Sequence, residues 1–281
     1  MTSAVATAPV PAATAQPRWK MIYLAKRNPA LAAEDFAQAW REHSALGSQC
    51  TNVRDKVLGV QQCSRVRNGE SGAEDGGLHG ASADYDGVNL LQLRDLEVAN
   101  DIWNDPETLA TMRPDEPRVF STYVRDCTLV CSEQVLREAP AGPVVVFGFL
   151  RRNAGVSKSA FDTAWMDGPK DAWLSSPTLK TARRVVHNHV VQTPPEGYDF
   201  DGIAEWWFDS ADAARAAFAD SRSGNAAPSG NGHGPVDMRS QVRDLRCQLP
   251  APYSVLVDLK QSVFMFTQVT HQRPEASVQS S

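Results

Sequence analysis

Apolar and polar positions fall into one pattern that the chain runs through twice. A bulky apolar run leads to Arg27, and another, ending in FGFLR, leads to Arg152. Each run is followed by a break, at Asn28-Pro29 or at Asn153-Ala154-Gly155, and then by a stretch whose apolar residues lie four apart. Phe36 and Trp40 mark that stretch in the first copy, and Phe161 and Trp165 in the second. Period-two runs, a turn signal and a 3.6-residue period predict a strand, a turn and a helix each time.

The correspondence continues along the chain. LGVQQCSRV at 58–66 is answered by VVHNHVVQT at 185–193, and DYDGVNLLQL at 84–93 by DFDGIAEWWF at 199–208, each with Asp-Gly at the strand entrance. Helical stretches follow, DLEVANDIW in the first half and DSADAARAAFAD in the second, the latter opening on a capping Asp-Ser pair. VRDCTLVCSEQVL at 124–136 and VRDLRCQLPAPYSVL at 242–256 share Val-Arg-Asp, and each predicts a last strand. FMFTQV at 264–269 predicts one further edge strand. Each half therefore reads strand, helix, strand, strand, helix, strand, the split β-α-β order of a ferredoxin-like unit. A single such sheet leaves one face bare, and burying apolar surface is worth about 25 cal/mol per Å². The fold class expected is α+β, with two tandem ferredoxin-like repeats closing face to face into an intramolecular α+β barrel. The expected divisions are a disordered leader at 1–18, repeats at 19–140 and 141–270, and a disordered tail at 271–281.

Composition narrows the functions open to such a fold. The 281 residues are 42% hydrophobic, enough for a large core, and the net charge of -5 comes without any basic run. Nucleic acid is not an expected partner. The Ala/Pro/Thr-rich start lacks a signal-peptide pattern and no segment is apolar for the 18 or so residues of a membrane span, so no membrane partner and a cytoplasmic location are expected. Five cysteines without a C-x-x-C pair indicate neither a disulfide framework nor a structural zinc site. Cys63, Cys127, Cys131 and Cys247 lie in apolar, strand-like runs.

Arg27, Phe36-x3-Trp40 and His43, joined to YDGV at 85–88 and FDGI at 200–203, resemble the EthD family of the dimeric α+β barrel superfamily. The resemblance spans both halves, roughly 19–136 and 144–256. It implies a fused version of a protein that is typically a single repeat and dimerises, so a further homo-oligomer remains open. The family is associated with oxidative degradation of ethers. The wider superfamily includes cofactor-free isomerases, polyketide cyclases, monooxygenases and haem-binding enzymes. Fold alone does not choose among them.

The candidate chemistry is unequal between the halves. Phe36, Trp40 and His43 lie on one helical stripe, and an imidazole there can serve as acid or base, or as a core-edge histidine satisfied locally. The second copy has Gly168 in its place, followed by Pro169. His187 and His189 lie two apart on a strand and share a face. Glu205, with Trp207 and Ile203, lies on the mixed face of its strand, predicted to line the barrel, while Ala204, Trp206 and Phe208 pack on helices. The corresponding first-half residues are taken as Gln61, Cys63 and Leu90. The catalytic candidates are thus His43, His187, His189 and Glu205, and Trp40, Arg27, Trp207 and Asn188 are the expected substrate contacts. Two histidines and a glutamate can also hold a divalent metal, but no metal site is assigned. The favoured function is a cofactor-free lyase, isomerase or cyclase moving a proton on a small, mostly apolar, aromatic or xenobiotic compound. The alternatives are an accessory or haem-binding protein of an oxidative pathway and a non-catalytic ligand carrier.

Overall fold

The computed structural model describes residues 17–67, 75–219 and 244–273. Eight antiparallel strands close into a barrel in the order β1-β3-β2-β8-β5-β7-β6-β4. They are β1 (Arg18–Ala25), β2 (Val57–Arg65), β3 (Gly87–Leu93), β4 (Thr128–Arg137), β5 (Val144–Leu150), β6 (Arg184–Val190), β7 (Gly202–Phe208) and β8 (Val263–Arg273). The segments β4-β1-β3-β2 and β8-β5-β7-β6 repeat one order, and they join at β2–β8 and β4–β6. In an eight-stranded barrel the interior is just wide enough for side chains to fill it. Ile22, Leu24, Leu90, Leu129, Phe147, Phe149, Ile203 and Met265 do so. Helices cover the outside, so β5 and β7 are buried along their whole length, and apart from Glu205 their sequences are apolar throughout.

One helix dominates each half. In the first, α1 (Phe36–Leu46) is followed by the short helices α2 (Thr51–Arg54), α3 (Val98–Asp101), α4 (Pro106–Thr111) and α5 (Glu116–Val119). In the second, α6 (Lys158–Asp167) starts at Ser157, whose hydroxyl accepts the Ala160 N–H, and α7 (Lys170–Trp173), α8 (Pro177–Thr181), α9 (Ala211–Phe218) and α10 (Ala251–Leu256) complete the cover. The stripe read from sequence is the buried one: Phe36 stacks on Trp40 and Phe161 on Trp165, with ring centroids 5.1 and 5.5 Å apart.

The repeated motif is a structural lock. Asp86 accepts the Arg27 backbone N–H at 3.0 Å and Asp201 that of Arg152 at 2.9 Å, and each carboxylate also pairs with the same arginine's guanidinium. The glycine that follows each aspartate makes room for the helix tryptophan. A Cβ on Gly87 would stand 2.7 Å from the Trp40 ring, and one on Gly202 would stand 2.9 Å from that of Trp165. Arg27, expected to contact substrate, instead joins the end of β1 to the entrance of β3.

Three expectations are corrected. Residues 244–256 form a 3-10 turn (Leu245–Gln248) and α10, not a strand, because Pro250 and Pro252 remove backbone donors. Cys247 consequently lies exposed in that turn. The last strand of the second half is β8, which includes FMFTQV, sits between β2 and β5 rather than at an edge, and continues through His271–Arg273 where a tail was expected. Of the leader expected at 1–18, residues 1–16 lie outside the described residues and Arg18 already begins β1; the chain after 273, residues 68–74 of the Gly/Ser-rich stretch at 67–84 and all of that at 222–237 also lie outside them.

Candidate functional site

The candidate residues divide among three places. The first is inside the barrel. Alternation aims Lys20 of β1, Glu133 of β4 and Asn188 and Glu205 of β6 and β7 inward, and the four meet. The Lys20 ammonium lies 2.5 Å from Glu133 and 2.7 Å from Glu205. Glu205 also accepts from Asn188 Nδ2 at 2.8 Å and from the Trp207 indole N–H at 2.9 Å. Burial disfavours the Lys20 charge, but the Glu205 and Glu133 carboxylates outweigh it and hold its pKa above the ordinary lysine value. Burial works against the Glu133 carboxylate too, and Lys20 overrides it, lowering that pKa. The cluster adjoins a cavity of about 460 Å³ at one barrel end.

The second place is the outer face of the second half. The sequence expects His187 beside Glu205, but register separates them: β6 pairs His187 with Ala204 and Val186 with Glu205. Directly opposed residues of an antiparallel pair share a face. His187 therefore points outward with Ala204, and Asn188 faces Glu205. The imidazole is fully buried, stacks on Trp165 at 3.6 Å, and meets the Tyr253 hydroxyl through Nε2 at 2.9 Å. Desolvation pushes its pKa down to about 3. His189 lies on the same outer face with Nε2 2.9 Å from Asp162. The two halves also align one residue away from the expected match. The pair Gln62–Asn89 corresponds to His187–Ala204, while Gln61 opposes Leu90 as Val186 opposes Glu205, so the counterpart of His187 is Gln62 and that of Asn188 is Cys63.

The third place holds His43. It lines a cavity of about 80 Å³ between α1, the short helices and the outer face of β1, β2 and β3, with Tyr23, Trp40, Trp103, Met112, Gln62 and Asn89 among its walls. His43 Nδ1 lies 2.9 Å from Asp115 Oδ2. Arg118 above all, and His43 itself, keep the Asp115 carboxyl below the usual carboxylate range, so it accepts and Nδ1 carries the proton. Burial lowers the His43 pKa against the pull of Asp115, which leaves a neutral ring at pH 7. Among the described residues its Nε2 makes no hydrogen bond. Gln62 Nε2 donates to the Trp40 carbonyl, and Gln62 Oε1 and Asn89 Oδ1 are buried without a partner. Glu116 lines the same cavity, and burial raises its pKa even though it accepts the Val124 N–H.

Comparison with known proteins follows this geometry. The EthD domain model matches residues 28–122 and 153–226, more than half of the chain. This chain belongs to the EthD family. No curated protein matches this EthD chain in sequence. Among solved structures it is similar to an anthrone oxidase-like protein, at 13% identity and a TM-score of 0.51, covering 95% of this chain and 97% of that one. It is also similar to a mutant chlorite dismutase from Candidatus Nitrospira defluvii, at 14% identity and a TM-score of 0.45, with 90% and 92% covered. At 13% identity the likeness to the first of these is one of fold, an α+β protein built on a closed barrel. The EthD motif residues Arg27, Trp40, Asp86 and Gly87 have the structural duties described above, and His43, in the last turn of α1, lines a cavity. Among the described residues no three His, Cys, Asp or Glu side chains form a metal-binding group, and no helix is long and apolar enough to cross a membrane.

Sequence reasoning missed Lys20, Glu133, Asp115 and Glu116. A signal existed for Lys20, which stands two and four residues before Ile22 and Leu24 and so shares their inward face. None existed for Asp115, which lies among short helical pieces 72 residues from His43.

Proposed function

We propose that this EthD protein is a cofactor-free enzyme that moves a proton on a small, mostly apolar, aromatic compound, with His43 as the base. One observation carries the reading: a neutral imidazole, fixed through Nδ1 by Asp115, lines an aromatic cavity beside two amide oxygens that lack donors. A base near neutral pKa can take a proton at working pH, and the carboxylate behind it fixes the tautomer and stabilises the imidazolium that forms. Glu116, with its raised pKa, is the group suited to return the proton elsewhere on the substrate. That sequence describes a lyase, isomerase or cyclase step.

The closed volume of about 80 Å³ is below the several hundred expected of a ligand pocket. Ile102, Trp103, Thr108 and Met112 line it from short helical pieces of three to six residues, so the substrate is expected to enter by displacing them. Haem does not fit His43, His187 or His189. Both ring nitrogens of His187 face protein groups in a cage of Trp165, Trp173 and Tyr253, His189 Nε2 has Asp162 2.9 Å away and is buried, and the His43 cavity is far smaller than a tetrapyrrole. Glu205 already takes three donors, so we assign it to the scaffold rather than to proton transfer. We also infer that 19–140 and 141–270 are duplicated ferredoxin-like units, of which only the first kept a working cavity. The shared strand order supports this.

The test is deuterium exchange at acidic C–H groups of a panel of aryl ketones in D2O, followed by NMR. Wild-type protein is expected to accelerate exchange of at least one member, and His43→Ala to lose about 10² to 10⁴ of that rate at unchanged melting temperature. Binding without exchange would make the protein a carrier instead.

A further inference from the structure

The barrel-end cavity is independent of His43 and carries its own recognition chemistry. We propose that it is a second binding site, for a small aliphatic carboxylate that also bears a hydroxyl group.

Its volume of about 460 Å³ lies within the range of small-molecule pockets. Two unsatisfied groups define what it takes. Glu133 has a side chain only 3% exposed; one oxygen holds Lys20, and the other, Oε1, has no hydrogen bond. The nearest cations to Oε1 are Arg18 at 3.4 Å and Arg184 at 3.7 Å, beyond good hydrogen-bond length. A buried carboxylate oxygen without a donor costs free energy, which a ligand O–H recovers. Arg273, also on the wall, donates Nη2 to the Val57 carbonyl at 2.6 Å, and among the described residues it pairs with no carboxylate. Burial lowers its pKa, the mark of a cation whose charge is not compensated. Guanidinium is suited to bidentate capture of a carboxylate.

Charge and shape settle the rest. Arg273 is a lining cation that pairs with no carboxylate among the described residues, so a monoanion suits the site. An ammonium in place of the hydroxyl would meet the Lys20 charge beside Glu133. Trp207, Leu90 and Val60 add apolar wall to the same cavity, which suits a methylene chain joining the two polar groups of the ligand.

The experiment titrates full-length protein with straight-chain hydroxycarboxylates from glycolate to 6-hydroxyhexanoate and with the matching unsubstituted carboxylates. Calorimetry and the NMR resonance of the Trp207 indole N–H provide the readouts. At least one hydroxycarboxylate should bind at least about tenfold more tightly than its unsubstituted partner and shift the Trp207 signal. Arg273→Gln should weaken it about tenfold or more, Arg273→Lys should recover part of the loss, and His43→Ala should leave it unchanged. No binding by any member at millimolar concentration, equal binding by the unsubstituted acids, or binding that survives Arg273→Gln would each overturn the proposal. Loss of binding in His43→Ala would place the ligand in the other cavity and overturn it equally. A failed exchange assay at His43 leaves these readouts untouched.

Discussion

Gln62 and His187 stand at the same place in the two halves and approach the same partner, the carbonyl of the helix tryptophan above them. Gln62 Nε2 reaches the Trp40 oxygen at 3.1 Å, and His187 Nδ1 lies 3.5 Å from that of Trp165. In the first half the rest of the glutamine borders open space. In the second, Trp173 and Tyr253 close around the imidazole. The halves therefore differ in how they are filled more than in how they are folded.

That difference predicts a pH signature. The unfolded His187 titrates near 6.5 and the folded one near 3, because burial penalises the charged ring. The depressed folded value means that acid favours the unfolded chain: stability is unaffected above about 6.5 and falls as pH drops toward 3, at about 1.4 kcal/mol per pH unit for one proton. His187→Gln, the residue used by the other half, should flatten that slope. Denaturant melts between pH 4 and 7 measure it, and an unchanged slope would locate the titrating group elsewhere.

For His43 the sign runs the same way but the readout is rate. Its pKa is lowered, and the base works only when neutral, so turnover should rise with pH through a midpoint below 6.5 and be flat by pH 7. Asp115→Asn removes the carboxylate that favours the charged ring. It should lower both the midpoint and the plateau, the latter by about tenfold to a hundredfold. A pH–rate profile of both proteins decides it.

Placing a histidine at the matching site of the second half should restore nothing. A Cβ on Gly168 would stand 2.3 Å from the Ala164 carbonyl oxygen and 2.8 Å from Trp173 Nε1. Gly168→His should cost about 1–3 kcal/mol by overpacking and add no activity to His43→Ala. Thermal melts and the exchange assay report the two effects separately.

The Lys20 cluster ties the halves together, since Lys20 and Glu133 come from the first and Glu205 from the second. Lys20→Met strands two carboxylates among buried groups and should destabilise by about 3–5 kcal/mol, whereas adding Glu205→Gln should recover part of that. A chemical-denaturation double-mutant cycle tests the coupling; additive losses would mean the pair is not energetically linked. Residues 1–140 alone should accordingly be insoluble or dimeric, as ultracentrifugation would show.

The sequence carried much of this plan, and the parts it did not carry have physical causes. Phe36, Trp40 and His43 were readable as one stripe because helical periodicity depends on local spacing, and the inward aim of Glu205 followed from the apolar face opposite it. The faces of His187 and Asn188 were not readable, because parity between strands is set by register, and β2 carries irregularities between Val57 and Gly59 and between Gln62 and Cys63 that shift the apparent match of the halves. The last strand was misplaced for a similar reason. Val-Arg-Asp leads directly into β4 in the first half, while in the second α10 intervenes before β8. Asp115 depends on tertiary contact alone.

The position of β8 bears on how the protein is made. It bonds to β2 of the first half and β5 of the second, and it leaves the ribosome after all the other described strands. Until residue 273 has emerged, β2 keeps an unpaired backbone edge, and the nascent chain presents an open template to other chains. Chaperone dependence during synthesis, and a sharp fall in soluble yield when the final ten described residues are deleted, follow from where that one strand sits.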